Sequence, residues 1–384
     1  MVAAARRRVP LRQVARRFHV ALATVQFWMR RAGCGSPDQV DWSDRPRGPR
    51  RPSNRFDRHL EDLVLSLRRH LHDASDLGEC GAAAIRRELV SRGLTRVPSL
   101  RTIGRILLRR GALDGRRCQR RPPPPRGWYL PDLARGEAEL DAFDAVEGLV
   151  IQGGTQVEVL NAVSLHGGLV ESWPGRPMTA KMAVKSLIAH WRRFGLPTYG
   201  QFDNDTRFQG AHQFPDTVGR ISRLCLSLGV TPVFTPPRET GFQAAIEAYN
   251  GLWQAKVWAR FHHDSLPDLQ TVSKRYVKAH RRRSAARIEA APPRRPFPKD
   301  WRLNLQTPLR GKIIYLRRTT DDGSVELLGH RFLVDPQWPH RLVRAEVDLD
   351  AGVIRFFALR RRDPSHQPLL REVKHVLPNR RFMG

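Results

Sequence analysis

Asp203 and Glu247 are the acids of this 384-residue chain whose surroundings best suit metal chemistry. Asp203 ends the strand-like LPTYGQF and opens a polar turn with Asn204 and Asp205, whereas Glu247 lies past the apolar VTPVFTPP in the helical GFQAAIEAYNGLW. Carboxylates on separate rigid elements suit Mg²⁺, which one or two such groups usually bind together with waters and phosphate oxygens. Ile246, Tyr249, Trp253 and Val257 recur at helical spacing and predict a buried stripe, so that Gln243, Glu247, Asn250 and Gln254 align on a polar face. Glu239 competes with Glu247. It stands near Pro237 in a loop or first helical turn, where a helix-dipole role is the plainer explanation. Asp205 is read as a turn cap, with an outer-shell metal contact as the alternative.

The elements that must position these acids lie in residues 139–265. FDAVEGLVI, QVEVLNAVSL and GGLVESW are apolar, β-branched and separated by glycine pairs, which predicts three consecutive antiparallel strands. TAKMAVKSLIAHWRRFG reads as a helix, LPTYGQFDND as a fourth strand, 217–229 as a helix, VTPVF as a fifth strand and 240–261 as a long helix. Strands in a run followed by helix-strand alternation give an α/β fold with a mixed sheet, its site at one end of the sheet.

The flanks are strongly basic. Net charge is +30, with 29 Lys/Arg against 11 Asp/Glu in residues 1–130, 12 against 13 in 131–260 and 26 against 13 in 261–384. A neutral centre between basic arms points to a polyanionic partner. Residues 1–43 hold LRQVARRFHVALATVQFWMRRA, a helix-turn-helix spacing in which Val14, Ala15, Phe18, Val25 and Trp28 face inward while Thr24, Gln26, Arg30 and Arg31 face DNA. A Pro/Gly/Arg-rich linker at 44–56 precedes a second helix-turn-helix or winged-helix-like unit at 57–115, with helices near 57–72, 81–92 and 99–110 and Ser99 as an N-cap. On the last helix Leu100, Ile103 and Leu107 form an apolar stripe. Arg101, Arg105 and Arg109 form a basic one, which a phosphate backbone would neutralise; a solvated face is the alternative. A Pro/Arg-rich linker is expected at 116–138, a basic helical linker at 266–299 and a small C-terminal β-barrel at 300–384, with basic residues at 101–126 and 274–295 gripping DNA. The four cysteines form no zinc spacing, so free thiols and no structural zinc are expected, and His166, His190 and His212 show no metal-ligand spacing. No window approaches the ~18 apolar residues of a membrane span, and a cytosolic protein near nucleic acid is expected.

A strand aspartate, a strand ending in Asp-Asn, and a helix bearing Glu with Asn three residues later together resemble the DDE core of bacterial insertion-sequence transposases and retroviral integrases. FDAVEGLVI, HWRRFGLP, FDNDTRFQG, GVTPVF, PPRETGFQAAIEAYNGLWQAKVW and LRRT…LLG are similar to a bacterial group carrying amino-terminal helix-turn-helix units, over about residues 80–384. The resemblance implies a ribonuclease H-like core in which Asp144, Asp203 and Glu247 hold two Mg²⁺ ions, with Mn²⁺ as a substitute and Asn204 and Asn250 in support. The strand of Asp203 would neighbour that of Asp144. It implies a DNA transposase, nucleoid-associated in a bacterial cytoplasm, that frees 3′-ends and joins them to target DNA as a homo-multimer on terminal inverted repeats. A non-catalytic DNA-binding protein, either a repressor or a decayed transposase, is the alternative; a ribonuclease H-like nuclease without strand transfer is a third reading. Two residues and one spacing depart from the family pattern. Ala145 replaces an aromatic, Asp205 replaces a glycine, and the commonest spacing, 35 intervening residues after Asp203, lands on Glu239, whereas 43 precede Glu247. Asp141 and Glu139 compete for the place of Asp144.

Overall fold

The structure is a computed structural model describing residues 1–43, 56–113, 126–210, 214–239, 241–361, 364–378 and 382. By contacts the chain divides into Met1–Leu63 and Val64–Gly384. In the first unit α1 (Val2–Arg6), α2 (Leu11–Arg17) and α3 (Leu22–Ala32) bury Ala5, Val14, Ala15 and Val25. Phe18 is 43% exposed at the end of α2, a correction to its expected place inside: the small core closes on alanines and valines without it.

Helix α4 (Arg58–Ala74) spans the division, and α5 (Ala82–Ser91) and α6 (Leu100–Arg109) follow. Ser99 caps α6 by accepting a hydrogen bond from the Thr102 N–H at 3.2 Å. Ile103, Ile106 and Leu107 form the buried face of α6, but Leu100, in its first turn, is exposed. These helices are not an independent unit. Lys256 and Arg260 donate to the carbonyls of Gly78 and Ser75 at 3.0 and 2.6 Å, and Arg275 pairs with Asp76 at 2.7 Å. Among the described residues of 56–113 there is no strand, so a wing is not built there.

The sheet begins after α7 (Pro131–Ala134). Strands β1 (Leu140–Ile151), β2 (Thr155–Ser164) and β3 (Val170–Gly175) form an antiparallel meander. Helix α8 (Ala180–Phe194) leads to β4 (Tyr199–Phe202), which pairs parallel to β1 with Asp141 opposite Gly200, the adjacency expected for the strands of Asp144 and Asp203. Helices α9 (Thr206–Gln209) and α10 (Arg220–Ser227) return the chain to β5 (Thr231–Phe234), parallel to β4. Helix α11 (Ala244–Trp253) then passes into a π-helical turn (Gln254–Trp258), so the expected long helix over 240–261 is shorter and changes pitch. Helices α12 (Leu266–Arg283) and α13 (Ala285–Glu289) complete the helical cover.

Residues 300–384 do not make a separate barrel. β6 (Lys312–Arg318) pairs parallel to β5, and β9 (Leu342–Asp348), β10 (Val353–Ala358) and β11 (Leu369–Lys374) follow it antiparallel, giving one nine-stranded sheet in the order β11-β10-β9-β6-β5-β4-β1-β2-β3. Among the described residues β7 (Ser324–Leu327) and β8 (His330–Leu333) form a separate hairpin. Short strands without intervening helices fit a barrel or a sheet extension equally well; the non-local pairing of Val233 with Ile314 and Phe234 with Tyr315 selects the extension.

Side-chain alternation sends Phe143 of β1 to one face, where it packs with Leu187, Trp191, Phe202 and Leu224, and Leu140, Ala142 and Val146 to the other, with Ile246, Tyr249, Trp253 and Tyr276. Asp144 therefore shares the face covered by α11, and Asp141 the face covered by α8. Two expected linkers are corrected. Trp128, Tyr129, Leu130 and Leu133 are buried in the second cluster, as are Leu269, Tyr276 and Val277 of α12. Flanking prolines and charges masked these apolar anchors; residues 44–55 of the first expected linker and 116–125 of the second lie outside the described residues, as does His212. No described helix is long and apolar enough to cross a membrane.

Candidate active site

β1 carries three acids whose environments differ. Glu139 is buried and its carboxylate accepts the backbone N–H groups of Leu140, His166 and Gly167 at 2.9–3.0 Å, a role in closing the β1 and β2 ends. Asp141 is fully buried against Arg294, with the Trp191 indole donating at 3.1 Å and His190 Nε2 lying 3.4 Å away. Burial pushes its carboxyl up, but Arg294 and His190 outweigh this and hold it well below the usual carboxylate range. Among the described residues Asp144 has no such cation. Burial, then the nearby Asp203 charge, pushes it up to about 6, with Glu247 adding in the same direction and hydrogen bonds from Ala145 and Asn250 opposing.

The structure thus brings Asp144, Asp203 and Glu247 to one neighbourhood. Asp203 follows β4 directly and is half-buried; its carboxyl is also raised, first by burial, and it accepts the Asp205 N–H at 3.1 Å. Glu247 is exposed in the first turn of α11, where Ile246, Tyr249, Trp253 and Val257 are all buried as the helical stripe requires. On the polar face Asn250 donates to Asp144 Oδ2 at 2.8 Å. Glu239 instead pairs with Arg318 outside this group.

Supporting contacts come from three other elements. Asn161 of β2, directly opposite Asp144 in the ladder, donates to Asn250 Oδ1 at 2.8 Å, so a relay of amides orients Asp144. The signal for it was one asparagine inside the apolar strand QVEVLNAVSL. Asn204 donates to the Thr235 carbonyl at 2.6 Å and accepts from Arg317 at 3.0 Å, so β6 braces the Asp203 turn; burial lowers the Arg317 guanidinium to about 10. Asp205 is the N-cap of α9, accepting the Arg207 N–H at 2.7 Å, and Arg207 also reaches Glu147 and, at 3.0 Å, Glu158. That guanidinium draws three acids around the site into fixed positions while Asp144 stays unpaired with any cation among the described contacts.

The donor set fits a hard dication: two half-buried carboxylates and an exposed one that repel one another, with no lysine or arginine among the described contacts joined to Asp144. Asp144, Asp203 and Glu247 would hold it. Their oxygens are not drawn into the tightest packing, since the group of three donors within 4.8 Å of one another among the described residues is Asp216, His330 and His375.

The residues expected to read DNA divide. Gln26 and Arg30 are exposed on α3 and Thr24 is half-buried, but Arg31 lies over the Trp28 ring at 5.0 Å and donates to Ser43 O, with a side chain only 8% exposed. Arg101, Arg105 and Arg109 are exposed along α6. Within 274–295 four arginines hold the fold itself: Arg281 binds Val170 O and Glu171, the exposed Arg287 binds His166 O and Leu165 O, Arg294 binds Asp141, and the exposed Arg295 binds Gly229 O. Their donors satisfy strand ends and buried acids; Lys274, Lys278 and Arg282 remain exposed.

No family model matches the sequence, and no curated protein matches it. Solved structures similar to it include retroviral integrases. The catalytic core domain of BIV integrase is 20% identical at a TM-score of 0.28, covering 37% of this chain and 80% of that one. The simian T-cell lymphotropic virus intasome in complex with PP2A regulatory subunit B56 gamma is 14% identical at 0.34, covering 76% and 96%. The HTLV-2 integrase catalytic core domain with magnesium, a dimeric form, is 11% identical at 0.26, covering 36% and 82%. The mixed α/β core described above rests on the strand pairing of this chain itself.

Proposed function

We propose that the chain is a DDE-type DNA transposase, which frees the 3′-ends of an insertion sequence and joins them to target DNA with a divalent metal. One observation carries this reading: Asp144 faces the charges of Asp203 and Glu247, which with burial raise its carboxyl, and among the described residues its side chain is held by Asn250 and bonded to no cation. Carboxylates kept close without neutralisation are costly, and they suit a site completed by metal and phosphate. Two Mg²⁺ ions bound there, or Mn²⁺ in their place, would supply Lewis-acid stabilisation of charge developing at phosphorus. The chain's own residues do the positioning. Asn161 and Asn250 fix the rotamer of Asp144, Asn204 and Arg317 hold the turn of Asp203, and the buried stripe of α11 sets the direction of Glu247. Gln26, Arg30 and Thr24 on α3, and Arg101, Arg105 and Arg109 on α6, would bind the terminal inverted repeats and target backbone, with copies of the chain paired on two ends. The reading implies work in a bacterial cytoplasm at the nucleoid.

The test is a duplex carrying the element's own end, incubated with the full chain and Mg²⁺ or Mn²⁺. Nicked and joined products, absent from Asp144→Asn, support the proposal; binding without any metal-dependent product rejects it. The second reading, a DNA-binding protein without catalysis, is favoured by the spacing of the three carboxylates, wider than 4.8 Å for at least one pair.

A further inference from the structure

Far from the Asp144 carboxylate in sequence, Asp216 Oδ1 lies 3.1 Å from His330 Nε2 and 2.8 Å from His375 Nε2. We propose that Asp216, His330 and His375 form a second metal site, structural and suited to Zn²⁺, that staples the β7–β8 hairpin and the end of β11 to the loop between α9 and α10. All three donor atoms lie within 4.8 Å of one another, and all three residues are half-buried. Tetrahedral Zn²⁺ with bonds of about 2.0–2.1 Å sets its ligands about 3.3 Å apart, so the two observed spacings need to open by only a few tenths of an ångström. Two imidazoles with one carboxylate form a donor set for zinc-like ions, whereas Mg²⁺ prefers the all-oxygen set around Asp144. Three protein ligands leave one position for water.

The backbone presents these groups deliberately. Asp216 adopts the left-handed region at φ +58°, and its N–H donates to Leu328 O at 3.0 Å. A Cβ on Gly329 would lie 2.9 Å from Pro215 Cα, so only glycine lets the hairpin turn sit against this loop. The His375 N–H donates to Gly352 O at 2.9 Å, and its ring meets Phe332 edge to face at 5.5 Å. A two-stranded hairpin is marginal alone, and this one pairs with no strand of the main sheet, so a tie at its tip has a structural purpose. The plainer arrangement is a carboxylate accepting two imidazole N–H groups with no ion. With each imidazole proton carried on Nδ1 instead, both Nε2 lone pairs and the carboxylate oxygen would aim the same three atoms at one dication.

The two arrangements separate in the full-length chain, stripped with chelator and titrated with Co²⁺ and Zn²⁺. His375→Gln keeps an N–H donor for Asp216 but supplies a poor ligand, so it preserves the hydrogen bond while removing the metal. The expected result is a visible Co²⁺ ligand-field band at one ion per chain, present in wild type and in Asp144→Asn, absent from His375→Gln. Zn²⁺ should raise the Tm of wild type but not of His375→Gln, and its Kd should rise by more than the roughly 100-fold that losing an outer contact costs. An unchanged band and Tm rise in both His375→Gln and His330→Gln, or no stoichiometric binding in wild type, would overturn the site. Because the readouts are spectral and thermal, they stand whether or not strand transfer is detected.

Discussion

Asp141 and Asp144 are the same residue three positions apart on β1, and the sheet sends them to opposite faces with opposite fates. On the α8 face, Asp141 is joined to Arg294, Trp191 and His190, and its charge is fully compensated. On the α11 face, Asp144 meets two further acids and is steadied only by neutral amides. An acid built into the fold brings its cation with it, whereas an acid kept for chemistry leaves that place to something outside the chain.

The comparison breaks most sharply in activity. Asp144→Asn and Glu247→Gln should each reduce metal-dependent strand transfer by on the order of 10³-fold or more, the scale for losing a member of a catalytic unit. Strand transfer retained in Glu247→Gln and lost in Glu239→Gln would reverse the choice of third acid. Asp141→Asn should instead act on the fold, leaving Arg294 buried beside an amide at a cost of about 3–5 kcal/mol, read by urea unfolding. A near-neutral result would sink its structural role.

A smaller effect has the opposite sign. The raised carboxyl of Asp144 binds a proton in the folded chain between the ordinary pKa near 3.8 and its own near 6, so its contribution to stability is full below 3.8 and is lost as pH rises through 6. Asp144→Asn should therefore stabilise the metal-free protein by roughly 2–3 kcal/mol at pH 7, and the gain should fade as pH drops toward 4. Mg²⁺ should raise the Tm of wild type at pH 7 and leave that of Asp144→Asn nearly unchanged. The smallest change is expected for stability in Glu239→Gln, below about 1 kcal/mol by thermal unfolding, because its partner Arg318 is largely exposed.

Much of this was legible along the chain. The phase of α11, the meander of β1 to β3 and the cap at Ser99 follow from apolar spacing and local hydrogen-bonding types. The join of β5 to β6 was not, since it pairs residues some eighty positions apart and either a closed or an extended sheet would bury the same strands. Nor could charge counting tell that Arg281, Arg287, Arg294 and Arg295 bond the chain's own carbonyls and acids, because a guanidinium reads the same in sequence whether it meets phosphate or a backbone carbonyl. The cluster of Asp216, His330 and His375 has no spacing to betray it.

The sequence by itself determined which segments are strands and helices, and that acids stand at the end of one strand and on the polar face of a buried-striped helix. Periodicity of burial is a local property, and each segment carries its own. Tertiary structure alone decided which aspartate of β1 is neutralised and which is left facing other acids. That depends on the face each side chain meets and on the cations that distant parts of the chain bring there.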